Sequence, residues 1–228
     1  MIRDDIRRAY LAAKRALTNY LQAMEDFDKI YISILADLEK KFPKIEIKSD
    51  WLGTELLKFD QDRSKSAFLI ANFYGDEVYA SLSLLLCLEV CHTFDYNILA
   101  VPVTSKVKRQ KIDLSFCRDV INFLEKEGVD LLVVFSQKHP YLDGFYVDVP
   151  SVDMECDRSR QIIKKVVEHG HEVGAFCSKY DKPTYSIVKA GEDEMISLAA
   201  RKGIEAYRFV VSQDIWAGYR ALITLMKR

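Results

Sequence analysis

The segment that decides the fold is EGVDLLVVF, residues 127–135. Gly128 follows a helical stretch, and an unbroken apolar run begins at Leu131. Glycine readily adopts the left-handed conformation that ends a helix, so the chain can turn here from a helix into a strand. A run as apolar as residues 131–135 suits a strand that is buried on both faces of a sheet. The segment therefore predicts an α/β domain.

The same helix-to-strand joint recurs around Gly170 and Gly203. From residue 67 onward, short apolar runs alternate with longer helical patterns. Strands are predicted at 67–71, 98–103, 131–135, 145–149, 173–177, 185–188 and 206–211, and helices at 76–91, 114–126, 158–169, 192–202 and 213–228. This alternation predicts a three-layer, Rossmann-like α/β fold, with a mostly parallel or mixed sheet and covering helices.

The first 42 residues contain neither glycine nor proline, and Pro43 ends the stretch. Its apolar residues recur at alternating steps of four and three, which is the spacing of a coiled-coil seam. This pattern predicts a long N-terminal helix that forms a homodimer; the alternative is a helix that lies across its own domain. The expected organisation is a helical arm at 1–42, a linker or small hairpin at 43–66 and the α/β domain at 67–228. The seam residues are Ile6, Tyr10, Ala13, Leu17, Tyr20, Met24, Phe27, Tyr31, Ile34 and Leu38.

The composition is that of a globular protein, with 49% hydrophobic and 29% charged residues. A net charge of −1 excludes gross attraction to nucleic acid or membranes, so any anion site must be a local patch. The charged N-terminus is unlike a targeting sequence, and the longest apolar run, near residues 82–90, is too short to span a membrane. The five cysteines include no Cys-x-x-Cys pair, which favours reduced thiols and the cytoplasm.

The loop at 104–111 carries the strongest local indication of a ligand site. It places four cations and two hydroxyls between a predicted strand and a predicted helix. Loops at the carboxyl ends of strands border the ligand crevice of open α/β sheets, and a helix N-terminus favours anions. The loop therefore predicts a site for a phosphate-bearing ligand, either a nucleotide or a nucleic acid; the alternative is a solvated run of charges. The predicted ligand residues are Thr104, Ser105, Lys106, Lys108, Arg109 and Lys111.

A second group of residues favours a metal-dependent nuclease instead. Acidic side chains that converge near strand ends bind magnesium or manganese in many such enzymes, and Glu46 and Lys48 form a Glu-x-Lys pair. The sequence does not show whether the acids converge. His169 and His171 flank a joint glycine, which favours a helix end over a metal site, and no metal ligand is assigned. The acids are Asp143, Asp148, Asp153, Glu155 and Asp157.

The short motifs of common α/β enzymes are missing from the sequence, including Gly-x-Gly-x-x-Gly, the P-loop, Gly-x-Ser-x-Gly and His-Glu-x-x-His. The sequence therefore identifies no cofactor and does not decide whether the chain is an enzyme. Its leading functional interpretation is a soluble binding or regulatory protein that self-associates and binds a phosphate-bearing ligand, either a nucleotide or a nucleic acid. The alternatives are the nuclease and an interaction protein without a small ligand.

Overall fold

The computed structural model describes residues 2–71, 77–104, 114–137, 144–150, 161–162, 164, 184–191, 194–211 and 215–227. Within these ranges, only the backbone is described for residues 2–20, 144, 146 and 184–189. None of the helices in these ranges is both long and apolar enough to cross a membrane. The helices are α1 Ile2–Lys41, α2 Val78–Leu88, α3 Leu114–Glu127, α4 Met195–Arg201 and α5 Ile215–Met226. The strands are β1 Glu46–Trp51, β2 Thr54–Phe59, β3 Ser66–Ile70, β4 Asn97–Val101, β5 Leu131–Gln137, β6 Gly144–Val149, β7 Thr184–Lys189 and β8 Glu205–Val211.

The strands form one eight-stranded sheet in the order β1-β2-β4-β3-β5-β8-β6-β7. Four central strands, β4, β3, β5 and β8, run parallel. The β1–β2 hairpin extends the sheet on one side, because β2 pairs antiparallel with β4. On the other side β6 pairs antiparallel with β8 and parallel with β7. The predicted α/β fold with a mostly parallel or mixed sheet is confirmed.

The layers follow from the alternation of side chains along each strand. In β3, Ala67 and Leu69 join the core that α1, α2 and α5 cover. Phe68 and Ile70 point the other way, into the core beneath α3 and α4. Because both faces are covered, β3 and β4 are apolar after their first residue and β5 is apolar as far as Phe135, as the run in β5 predicts.

Two of the three predicted joints lie in the described part of the chain and have the expected geometry. Gly128 has φ +64° and Gly203 has φ +78°. Each follows the end of a helix, α3 or α4, and precedes a parallel strand. Gly170 lies outside the described residues. The left-handed turn thus connects helix to strand twice in the same way.

The long helix α1 is present, and the described part of its seam packs on the chain's own body. Phe27, Tyr31 and Leu38 are buried in the core together with residues of the sheet and of α2. The Tyr31 hydroxyl donates a hydrogen bond of 2.7 Å to Glu55 Oε2 on β2. This packing does not support a coiled coil in that stretch, because the seam residues are already covered by the sheet. Homodimerisation through the rest of the helix stays a prediction.

Candidate active site at the β3–β5 switch point

The strand order reverses at β3, since β4 lies on one side of it and β5 on the other. Open α/β sheets bind ligands at such a switch point, outside the carboxyl ends of the strands. The chain leaves β3 at Ala71 and re-enters the described structure at Glu77, directly before α2. Strand β5 ends with Ser136 and Gln137. These residues define the place in the fold where a ligand is expected.

A buried carboxylate occupies the switch point. Glu77 is only 5% exposed, and its Oε1 accepts two hydrogen bonds from the end of β5. Ser136 Oγ donates one at 2.9 Å and the Gln137 backbone N–H donates the other at 3.0 Å. Burying a carboxylate is costly unless such donors compensate it. We refer to Glu77, Ser136 and Gln137 as the switch-point cluster.

Further hydrogen bonds fix the cluster to its surroundings. The Tyr79 backbone N–H, in the first turn of α2, donates to Gln137 Oε1 at 2.9 Å. Ser81, one turn from Glu77, donates from its hydroxyl to the Pro102 carbonyl at 2.6 Å. The start of α2 is therefore held by the ends of both neighbouring strands, β5 and β4. This arrangement limits the positions that the Glu77 carboxylate can take.

The predicted phosphate loop begins next to the end of β3. Thr104 is half-buried, and its backbone N–H donates to the Ala71 carbonyl, where β3 ends, at 3.2 Å. Its hydroxyl donates to the same carbonyl, so the described contacts of Thr104 link two strand ends. Ser105, Lys106, Lys108, Arg109 and Lys111 lie outside the described residues. Their role as ligand residues stays a prediction.

Of the five acids between residues 143 and 157, Asp148 lies in the described residues, and it has a cationic partner. Asp148 on β6 is 4% exposed and faces Arg208 on β8. Arg208 Nε donates to Asp148 Oδ2 at 2.6 Å, and its Nη1 forms an ion pair with Glu194. We refer to Arg208, Asp148 and Glu194 as the arginine cluster. Asp143, Asp153, Glu155 and Asp157 lie outside the described residues, so their convergence stays untested.

Two neighbouring thiols lie away from the switch point, near the end of α2. Cys87 and Cys91 are both fully buried. Burial raises the pKa of Cys91 to about 12 and that of Cys87 well above its usual value. Because the thiolate is the reactive form, these cysteines are poor nucleophiles at neutral pH. Cys156 and Cys177 lie outside the described residues.

The described residues contain no group of three histidine, cysteine, aspartate or glutamate side chains that could hold a metal ion. His92 is exposed in a turn before β4, where its ring lies 6.0 Å from that of Phe42. His139, His169 and His171 are outside the described residues. Glu46 and Lys48, the Glu-x-Lys pair, are exposed on the outer strand β1. Neither lies on the parallel strands that form the switch point.

Sequence reasoning missed the switch-point cluster. Glu77 follows Asp76 directly before an apolar helix, and Ser136 and Gln137 are the first polar residues after the apolar run of β5. Both features mark polar groups at the carboxyl ends of buried strands. What the sequence lacks is the strand order that brings them together, because Glu77 and Ser136 are 59 positions apart.

Several solved structures with a similar fold have the names of peptidases. A candidate metallopeptidase of Shewanella amazonensis has a TM-score of 0.63 at 16% identity, over 88% of this chain and 92% of that one. A metallo-carboxypeptidase of Burkholderia cenocepacia has a TM-score of 0.61 at 10% identity, over 86% and 67%. The LapA aminopeptidase of Legionella pneumophila has a TM-score of 0.59 at 12% identity, over 97% and 75%. No protein-family model and no curated protein sequence matches the chain.

These comparisons correct the functional prediction. The prediction of a binding or regulatory protein for a nucleotide or nucleic acid is wrong, as is its nuclease alternative, because the structural neighbours point to peptidases. The switch point gives a physical reason: its buried centre is the carboxylate of Glu77, and a carboxylate repels phosphate. At these levels of identity the likeness establishes a shared fold: the chain has the α/β architecture of these peptidases.

Proposed function

We propose that this chain binds the end of a peptide at the β3–β5 switch point, with Glu77 as the polar centre of the site. The observation that carries the proposal is the carboxylate of Glu77, which is buried and held by Ser136 and Gln137. The structural neighbours support a peptide as the ligand, since they include a carboxypeptidase and an aminopeptidase, enzymes that act at chain ends.

The chemistry of the site fits that ligand class. A carboxylate fixed in position accepts hydrogen bonds from N–H groups, which peptides carry along the backbone and at the amino terminus. Hydrogen bonds to a charged acceptor contribute about 1.5–3 kcal/mol each when they are shielded from water. Because the Glu77 carboxylate is already oriented, little binding free energy is spent on ordering its side chain when the ligand binds.

Cleavage of the bound peptide is the second candidate function, and the same residue favours it. A buried carboxylate that reaches a water molecule can take a proton from it as a general base. Binding without cleavage and binding with cleavage differ in one observable, the appearance of a shortened peptide. The two functions can therefore be separated in one set of samples.

Calorimetry with short peptides of mixed sequence tests the proposal. Peptides with free ends, with an acetylated amino terminus and with an amidated carboxyl terminus show which end is recognised. Glu77→Gln removes the charge but keeps the shape, and we expect it to weaken binding by about tenfold. Glu127→Gln, on the exposed end of α3, is the matched control and should bind like wild type.

Two outcomes would contradict the proposal. Wild-type protein that binds none of the peptides rules out the ligand class. Equal affinities of Glu77→Gln and wild type place the binding site elsewhere. Mass spectrometry of the same samples decides whether the peptide is cleaved.

A further inference from the structure

The tip of the β1–β2 hairpin contains a leucine in a conformation that leucine rarely adopts. Leu52 has φ +48° and Gly53 has φ +79°, and the pairing of Trp51 with Thr54 makes them the two-residue loop of the hairpin. A loop with two positive φ angles favours asparagine, aspartate or glycine at its first position. A leucine there is strained, because its Cβ atom approaches the following carbonyl oxygen too closely. Strain of this kind is found most often at functional sites.

Burial of the leucine does not explain the strain. The side chain of Leu52 is 44% exposed, whereas the residues on either side of the loop are buried. Trp51 packs against Phe123 of α3, with 5.0 Å between the ring centroids. The Thr54 hydroxyl donates a hydrogen bond to the Val103 carbonyl. The hairpin tip is therefore anchored on both sides of the loop, and it presents an apolar side chain to solvent in a fixed position.

The hairpin tip lies at the same edge of the sheet as the switch point. Strand β2 runs antiparallel to β4, with Leu57 opposite Ala100. The start of β2 therefore lies beside the carboxyl end of β4, where Thr54 bonds to Val103. Three strand spacings separate the middle of the hairpin from the point between β3 and β5. At about 4.8 Å per spacing, the tip is roughly 14 Å from the switch point.

We propose that Leu52 contacts an apolar side chain of the bound peptide, at the fourth or fifth residue from the end that lies at the switch point. An extended peptide advances about 3.4 Å per residue, so four residue lengths cover the distance to the hairpin tip. Because the turn is already fixed, little free energy is spent on ordering Leu52 when the peptide binds. The inference rests on the proposed function for the ligand and its place in the fold, and it uses no contact of Glu77.

The experiment uses the full-length chain and six-residue peptides of alanine and serine in which one leucine occupies each position in turn. Calorimetry measures the affinity of each peptide. Wild type should bind the peptide with leucine at the fourth or fifth residue from the bound end about tenfold more tightly than the peptide without leucine. Leu52→Asn should abolish this preference. Because asparagine suits the turn, the same variant should melt about 2–4 °C higher than wild type.

Two control variants separate the apolar contact from the shape of the turn. Leu52→Met keeps an apolar side chain and should keep the preference for leucine. Asp62 also has a positive φ, +56°, but it lies in the loop that enters β3, at the opposite edge of the sheet. Aspartate tolerates this conformation better than leucine does. Asp62→Asn should therefore bind every peptide like wild type.

Several results would overturn the inference. A leucine preference that Leu52→Asn retains, or wild-type affinities that do not depend on the position of leucine, would place the apolar contact elsewhere. Loss of the preference in Leu52→Met as well would assign the effect to the shape of the turn. A lower melting temperature of Leu52→Asn would contradict the strain at Leu52. If wild type binds none of the peptides, the proposed function fails together with the inference; peptide binding that does not depend on Leu52 overturns the inference alone.

Discussion

The switch-point cluster and the arginine cluster are each built around an acid that is almost fully buried, but they compensate it differently. Glu77 accepts hydrogen bonds from a hydroxyl and a backbone amide, whereas Asp148 is paired with the guanidinium of Arg208. The first acid lies at the carboxyl ends of parallel strands, and the second lies between antiparallel strands. We expect Asp148, which is paired with Arg208 inside the sheet, to have a structural role. We expect Glu77, at the switch point, to take part in the proposed ligand binding.

The largest expected effect of a substitution separates these two roles. Arg208→Ala leaves the buried Asp148 carboxylate without its guanidinium, and we expect a loss of about 3 kcal/mol in the free energy of unfolding. The peptide affinity of the folded protein should stay unchanged. Urea unfolding followed by tryptophan fluorescence measures the loss, with Arg118→Ala on the exposed side of α3 as the control. A small loss of stability together with weaker peptide binding would show that the arginine cluster, and not the switch-point cluster, takes part in binding.

Substitution of Gly218 affects the packing that supports the switch-point cluster. A Cβ atom at Gly218 would lie 2.3 Å from Ser83 Oγ and 2.8 Å from Val211 Cγ1. We expect Gly218→Ala to cost about 2 kcal/mol through overpacking and to weaken peptide binding, because Phe135, which precedes Ser136, is also in contact. Thermal melts and calorimetry check the two effects.

The matched control is Gly203→Ala, which meets no atom within 4 Å. It should cost about 1 kcal/mol through its left-handed backbone alone and leave peptide affinity intact. Equal stability losses at the two glycines would show that packing against Val211 does not limit residue 218.

A smaller effect is expected from the hydroxyl that orients Glu77. Ser136→Ala removes one of its two donors, so we expect a loss of about 1.5 kcal/mol in stability and several-fold weaker peptide binding. Ser136→Thr retains the hydroxyl and should restore most of the affinity. Rescue by threonine distinguishes the hydrogen bond from the volume of the side chain. If Ser136→Ala binds the peptide as tightly as wild type, Ser136 does not contribute to the binding site.

The smallest effect belongs to the outer member of the arginine cluster. Glu194 is partly exposed, and exposed ion pairs contribute little. Glu194→Gln should therefore lower the free energy of unfolding by about 0.5 kcal/mol and leave peptide affinity unchanged. Because this loss is small, the urea unfolding curves of wild type, Glu194→Gln and Arg208→Ala should be measured side by side. A loss as large as that of Arg208→Ala would mean that Glu194, and not Asp148, is the main partner of the guanidinium.

The sequence predicts much of this fold because its elements are local patterns. The apolar run after Gly128 becomes β5, and Gly203 connects α4 to β8, both as expected. The seam of α1 predicts the helix but leaves its partner open, and in the described stretch that partner is the chain's own sheet. Spacing within a helix reports which side is apolar, and it carries no information about what covers that side.

The candidate site could not be predicted in the same way. Glu77 and Ser136 meet only because β5 pairs with β3 on the side opposite β4, and local patterns do not encode strand order. The sequence predicts a ligand site at the basic loop, residues 104–111, because the charges of this loop are close together in the sequence. The buried acid of the site, Glu77, follows Asp76 and precedes an apolar helix, and the sequence does not show which strand end it meets. Charges close in sequence are easy to find, whereas a site assembled from distant strand ends requires the topology.

The most direct test of the account is to map peptide binding onto the backbone by NMR. Titration of the labelled chain with a short free-ended peptide in EDTA should shift the amide signals of Ala71, Tyr79, Ser136 and Gln137. The signals of Arg208 and Asp148 should remain in place, and Glu77→Gln should abolish the shifts at the same peptide concentration. Shifts confined to residues away from the switch point, or an unchanged response in Glu77→Gln, would contradict the claim that Glu77 is the centre of a peptide site.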